Sequence, residues 1–407
     1  MANRYTEVTH TGWGKRIGQS LSGALIGGLM FLGSFALLWW NEGRAIAEAR
    51  ALAEGAGAVI DVGIDAVEPK HEGKLLHVTG QVDASPEARD NDTGIAVDAL
   101  QLRRIVEMYQ WVEKRSSKEE KKLGGGSETV TTYDYEQRWD DDAVDSSDFR
   151  YGDGHENPSN WSIRSDSFAA GTVMLGAFML SPSARNAIGH WQELPANISA
   201  TLPETFGDFR RLDGGRLYKG TDSGQPAVGD MRIRYEYQPE ATYSIIAKQV
   251  GGQLDQYIAS NGREVLLVED GSVPAAKMFE GAQSRNSLMT WIVRAGGTLL
   301  MWLGLSMVFA PISRILDVLP MLGTIGSWGI GLVTGLISLL LALTTIGIAW
   351  VFYRPLLGGA ILVGVVALFF WSRSSRKSAP MSVPAGAAMT PPIAPPAATP
   401  PPPPPMA

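Results

Sequence analysis

The chain has 407 residues, 45% of them hydrophobic, no cysteine and a formal net charge of −7. The missing thiols exclude thiol catalysis, cysteine zinc sites, iron–sulfur clusters and palmitoylation, and leave no disulfide for stability. The acidic balance argues against nucleic acid as a partner.

Residues 1–16 are polar and carry Arg4, Lys15 and Arg16. The first apolar run, 17–40, holds no charged residue and closes on Trp39-Trp40, where amphipathic rings favour a membrane interface. A bilayer core takes about 20 apolar residues of helix. A cleaved signal peptide is the rival reading, because Ala45-Ile46-Ala47 resembles a processing site. The run is longer than a signal core and stands apart from that site, so a retained anchor is expected.

Residues 41–293 form the polar middle. From Glu42 to Val293 there are 26 Lys and Arg against 40 Asp and Glu, a net charge of −14. Period-two alternation marks strands at Lys74–Val82, Tyr133–Trp139, Met231–Gln238, within Tyr243–Val250 and at Val265–Glu269. Leu102–Val112 fits a helical stripe as well, but its Val, Tyr and Trp favour a strand paired with Val130–Trp139. The tip of that hairpin, Ser116–Ser127, carries mixed charge and three glycines and reads as mobile. Phe168–Leu180 is apolar but too short to span, and reads as a core or interfacial helix. Glu42–Gly55 and Ala276–Arg294 read as helical extensions of the flanking spans.

Three further runs follow: 294–311, a loop 312–324 with Arg314, then 325–352, a turn 353–355 and 356–372. Residues 373–407 begin with Arg373, Arg376 and Lys377 and end as a Pro- and Ala-rich tail expected to stay disordered. The fold class is therefore an α+β membrane protein with four transmembrane helices, one plus three, and a large β-rich extracytoplasmic domain. The positive flanks place both ends and the 312–324 loop in the cytoplasm and residues 41–293 outside it.

No catalytic set stands out. The histidines make no His-x-x-x-His pair, and neither a nucleophile elbow nor a phosphate-binding glycine loop is present. Asp140, Asp141, Asp142, Asp145, Asp148, Asp153 and Glu156 could attract calcium, but their spacing is not that of an EF-hand and a solvated loop is the plainer reading. No metal or cofactor is expected. Gly23-x-x-x-Gly27 and Gly331-x-x-x-Gly335 allow close helix packing, within the bundle or between copies. The spans carry almost no ionisable residue, which weakens a channel or transporter reading.

Several separated stretches resemble the transmembrane protein 43 (LUMA) family. They are Asn41-Glu42-Gly43-Arg44, Arg103-Arg104-Ile105-Val106-Glu107-Met108-Tyr109-Gln110-Trp111, Gly154-His155-Glu156-Asn157-Pro158, Gly229-Asp230, Trp291 with Arg294, and Tyr353-Arg354-Pro355. The resemblance runs in order from about residue 20 to 372, and the Pro-rich tail departs from it. It implies a four-span protein with one large lumenal domain and no established catalytic residue. Animal members of the family lie in the endoplasmic reticulum and inner nuclear membrane and organise protein complexes there with emerin and lamins. The Ala- and Gly-rich composition reads as bacterial, which would place this domain in the periplasm, anchored in the inner membrane, and exclude lamins. The expected role is a non-enzymatic organiser of membrane complexes or a sensor of lipid state. Its partners would be membrane lipids, other membrane or extracytoplasmic proteins and further copies of itself. The alternative is a carboxylate-dependent hydrolase or lipid-modifying enzyme built around His155-Glu156-Asn157.

Overall fold

The computed structural model describes residues 3–122, 125–195, 198, 202–212, 214–316, 320–354 and the isolated positions 363–364, 367 and 371. Most of the fourth apolar run and the whole Pro-rich tail lie outside the described residues.

Three helices are long and apolar enough to cross a membrane. They are α1 (Trp13–Ala58), α2 (Ala275–Leu316) and α3 (Pro320–Tyr353). At 1.5 Å per residue, α1 is roughly 70 Å long, about twice a hydrocarbon core. Its second half is therefore the stalk expected of Glu42–Gly55, and α2 begins with the matching stalk. Leu21, Leu25, Ile26, Leu29 and Leu32 are exposed on α1, as are Leu332, Val333 and Leu336 on α3, which is what a lipid-facing surface requires. Within the bundle, glycines let α1 and α2 touch. A Cβ placed on Gly27 would lie 2.5 Å from Met307 Cβ and 2.7 Å from the Gly304 carbonyl oxygen. Gly335 meets the Trp302 indole in the same way, so both small-residue motifs serve packing within one chain.

The middle of the chain folds into two sheets. The strands used below are β1 (Arg4–Thr11), β2 (Leu75–Ser85), β3 (Ala99–Lys121), β4 (Ser127–Asp140), β5 (Thr172–Leu175), β6 (Phe178–Leu180), β7 (Met231–Pro239), β8 (Thr242–Val250), β9 (Gln253–Asp255) and β10 (Leu267–Asp270). In the larger sheet the order starts β1-β4-β3-β7. In the smaller one, β2, β5, β6, β9 and β8 pair in turn and β8 returns to β2, closing a ring. One apolar cluster joins the two sheets: Leu102, Val106 and Ile233 from the first meet Val78, Leu175 and Ile245 from the second. A second cluster ties the sheets to the stalks, with Ala51 and Leu52 of α1 and Met278 and Phe279 of α2 against Leu75, Ile246 and Val265.

Three expectations change. Phe168–Leu180 is not a helix; it folds as short strands with turns at Gly171 and at Gly176, whose φ is +57°. A Cβ on Gly176 would strike the Ile64 carbonyl oxygen at 2.4 Å, so the turn needs glycine. Residues 1–16 hold an unexpected strand. Arg4–Thr11 pairs with β4 from Arg4↔Asp134 to Thr11↔Ser127. The signal was a short stretch rich in β-branched residues, Thr6, Val8, Thr9 and Thr11, beside a positive flank.

At the β3–β4 tip residues 114–120 are exposed, but Gly125 and Ser127 are buried. Arg16 donates to the Gly125 carbonyl oxygen at 2.5 Å, and Trp13 lies where a Cβ on Gly125 would be. Charge alone would set residues 1–16 and residues 116–127 on opposite sides of a membrane; in the structure Trp13 and Arg16 meet Gly125. From this tip α1 runs back to the sheets, which it reaches at Ala51 and Leu52. The tip of the ribbon β1-β4-β3 therefore meets the first turns of α1.

Helix contact through Gly27 gives a direct test. Gly27→Leu should cost about 1–3 kcal/mol through overpacking, whereas Gly28→Leu, with nothing within 4 Å, should be neutral. Thermal unfolding of the detergent-solubilised protein measures both.

Candidate functional site

The resemblance-bearing residues gather into two places. The first is the junction where the stalks become membrane helices. Glu42 on α1 is 1% exposed, too costly for a carboxylate unless it is paired. Arg294 of α2 supplies the pair through two bonds, Nε to Oε1 at 2.7 Å and Nη2 to Oε2 at 2.8 Å. Trp350 of α3 donates its indole N–H to Glu42 Oε2 at 2.8 Å. The Arg294 guanidinium lies 4.7 Å from the Trp291 ring centroid and 5.6 Å from that of Trp350. One carboxylate thus holds all three helices, and the tryptophans keep water from the pair.

One turn further along, Arg44 reaches Asn286 Oδ1 at 3.2 Å, Thr290 Oγ1 at 3.2 Å and Asn41 Oδ1 at 3.3 Å. Asn41 donates to the Thr290 carbonyl oxygen, and Asn286 to that of Ala45. These side chains bind the two stalks in register. Gly43 admits the Tyr353 ring, which would stand 2.7 Å from a Cβ there, and Arg50 donates to the Tyr353 carbonyl oxygen at 2.8 Å. Arg354 is exposed. Pro355 lies outside the described residues.

The second place is the β3–β7 face. Register pairs Glu107 with Arg232, and their side chains form two bonds at 2.7 and 3.0 Å. Arg232 in turn covers the Trp139 ring at 4.4 Å, with Tyr109 on the same ring. Arg103 pairs with Glu236 and lies over Trp191. Arg103 and Arg234 together hold the Glu236 carboxyl below the usual carboxylate range, against the opposing effect of burial. Arg104 is 3% exposed and binds Asp90, which is 0% exposed, at 2.7 Å. Asp90 also receives the Tyr235 hydroxyl at 2.6 Å and that of Thr93 at 3.0 Å. Burial first, and the Asp90 hydrogen bond second, push the Tyr235 hydroxyl upward.

Asn157 acts as a surrogate strand. Its Oδ1 accepts from the Trp111 N–H at 2.7 Å, and its Nδ2 donates to the Trp111 carbonyl oxygen at 2.9 Å. Gly229, at φ +97°, donates to the Tyr109 carbonyl oxygen and leaves room for Pro158. Asp230 accepts from the Tyr218 hydroxyl at 2.6 Å and from the Ala227 N–H at 2.9 Å. Every one of these residues is occupied in holding backbone or neighbour in place.

The His155-Glu156-Asn157 triplet does not converge. His155 is fully buried, stacked on Tyr135 at 4.2 Å with Trp111 edge-on at 4.7 Å. Glu156 is exposed and accepts from the Gly154 N–H, while Asn157 is bound to β3. Asp140, Asp141 and Asp142 bring carboxylate oxygens within 4.8 Å of one another, but Asp140 is bound to Arg138 and the other two are exposed. Sequence reading missed Asp90, Thr93 and Tyr235 as a unit, because 145 residues separate the first from the last. It also missed Trp350 as a partner of Glu42.

A family model described as Transmembrane protein 43 matches residues 108–355. The mouse protein named Transmembrane protein 43 is 32% identical over 376 residues, covering 90% of this chain and 92% of its own length. This chain belongs to the transmembrane protein 43 family. The human protein of that name is 31% identical over 368 residues, with 88% and 90% coverage. The Transmembrane protein 43 homolog of Drosophila melanogaster is 32% identical over 356 residues, with 86% and 93% coverage. No solved structure matches the chain. As a member of this family it is a membrane protein with a large β-rich domain and three candidate spans among the described residues.

Two outcomes test the site. Glu42→Gln strands the Arg294 charge in a buried setting and should cost about 3–5 kcal/mol, with the Glu42→Gln/Arg294→Gln double variant recovering part of it; detergent-phase melting reads both. Burial and its bond to Glu113 push the Tyr135 hydroxyl up to about 12. A tyrosine raised in the fold contributes stability below its unfolded value, near 10, that disappears as pH climbs through the folded value. Ultraviolet titration should show one phenolate absent in Tyr135→Phe that ionises above pH 11 in the native protein; ionisation near 10 would refute the assignment.

Proposed function

We propose that this family member is a non-enzymatic scaffold that organises membrane complexes by assembling with further copies of itself. The observation that carries it is the ribbon β1-β4-β3. Lipid cannot satisfy open strand edges, which is why only helices and closed sheets cross membranes. The tip of this ribbon nevertheless meets α1 where its apolar run begins. β1 is the terminal strand of its sheet, and β7 accompanies β3 only as far as Met108. Asn157 covers one more rung at Trp111. Among the described residues no strand pairs with either outer edge beyond that.

The two open edges match. Residues 4–11 of β1 stand level with residues 114–121 of β3, since both pair with residues 127–134 of β4. Both run antiparallel to β4 and hence parallel to each other. A second copy offers the complementary edge at the same height, and such head-to-tail contacts close into rings. The buried Glu42–Arg294 pair supports the reading, because it fixes the helices against the domain so that each copy presents its edges alike. The lipid-modifying alternative finds no support in the dispersed His155, Glu156 and Asn157.

Val8 and Lys118 lie on one rung with Val130 between them. The chain has no cysteine of its own, so a chain carrying only one of the two substitutions cannot crosslink within a copy. Membranes containing Val8→Cys chains mixed with Lys118→Cys chains should therefore give heterodimers with a short bis-maleimide. Monomer alone would overturn the proposal.

A further inference from the structure

We infer that the groove between α2 and α3 binds a diacyl glycerolipid, with an acyl chain along the helices and an ester carbonyl on Arg294. The groove holds about 540 Å³ and is lined from Trp291 and Arg294, near the domain, to Trp302 and Gly331 at its far end. Between those ends its walls are mostly apolar, with Leu299 and Leu343 among them. Thr298 spends its hydroxyl on the Arg294 carbonyl oxygen, and Trp302 its indole N–H on that of Gly331 at 2.9 Å. Arg294 differs from both. Its Nε and Nη2 bind Glu42, while Nη1 meets no acceptor among the described residues. One charge-bearing donor is thus left at the domain end of an apolar groove.

Depth selects the ligand atom. On the domain side of Arg294, α2 stays apolar, and Leu288, Met289, Trp291 and Ile292 are all exposed. At 1.5 Å per residue this surface reaches roughly 9 Å beyond Arg294. The guanidinium therefore lies deeper than the headgroups, at the level of the ester linkages. Charge agrees with depth. Glu42 already neutralises Arg294, so the spare donor calls for a neutral acceptor, and an ester carbonyl is one. Along α3 the lining runs from Gly331 to Ile346, roughly 20 Å of helix, which gives one acyl chain its length. The apolar groove between α1 and α3, at Phe35 and Ile348, has no charged donor in its lining and would not select a lipid this way. The inference rests on the membrane character of the bundle and not on self-assembly, which the cysteine crosslink reads separately.

Native mass spectrometry of the full chain in detergent, with phosphatidylcholine or its dialkyl-ether analogue of equal chain length titrated in, tests it. The ester lipid should bind about tenfold tighter, the lower end for a hydrogen bond from a charged donor. Phosphatidylglycerol should match phosphatidylcholine, since headgroup charge plays no part. A Cβ on Gly331 meets nothing within 4 Å, so Gly331→Leu fills the far end of the groove without a clash. That variant should weaken binding about tenfold, as for roughly two methylenes kept from burial. Gly28→Leu on α1, equally unobstructed and outside the groove, should leave binding unchanged. Absence of bound lipid, equal binding of ester and ether lipids, or a clear preference for phosphatidylglycerol overturns the inference. So does a Gly331→Leu variant that binds like Gly28→Leu.

Discussion

A carboxylate removed from water must find its counter-charge nearby, and Glu42 sets the terms for everything around it. It is nearly inaccessible, yet it holds two bonds from Arg294 and one from Trp350. Separating these groups would leave an ion in an apolar setting at several kcal/mol. The three helices consequently keep one rotation and one height relative to each other. The Arg44, Asn41, Asn286 and Thr290 network then extends that register up the stalks. The apolar cluster of Leu52, Phe279 and Ile246 passes it on to the sheets.

The outer domain follows the same logic with different parts. Its arginines meet carboxylates: Arg104 to Asp90, Arg232 to Glu107, Arg103 to Glu236. Cross-strand register brings the last two pairs together, so they hold the β3–β7 pairing against slippage. The Asp90 cluster differs because it is fully enclosed; it anchors the Asp90–Thr93 turn to the centre of β7 through Tyr235. Engaged in this way, the residues shared with the family are fixtures of shape. A domain held so firmly against its membrane helices suits a scaffold, whose output is the placement of surfaces.

The comparison between sequence and fold is instructive at particular elements. The alternation at Met231–Gln238 put Met231, Ile233, Tyr235 and Tyr237 on one face. The first three are buried, as a half-buried strand requires, but Tyr237 is only half-buried and Gln238 is buried instead, where the register shifts. Phe168–Leu180 failed because apolar content without periodicity does not separate a buried helix from buried strands. Arg4–Thr11 failed for a different reason. A strand of eight residues has no partner in its own neighbourhood, and its pairing with residues 127–134 lies across the chain. The family stretches were legible as words before their roles were, since Glu42 and Arg294 are 252 positions apart.

By itself the sequence determined that this is a membrane protein with long apolar helices around a β-rich domain, because hydrophobic length and local periodicity are properties of contiguous residues. It determined the family for the same reason, through short contiguous stretches. Only the tertiary structure decided that Glu42, Arg294 and Trp350 form one lock, and that the N-terminal strand joins the hairpin in a ribbon whose tip meets the first turns of α1. Those outcomes depend on long-range register and on the cost of burying unpaired charge, and neither is written in any local segment of the chain.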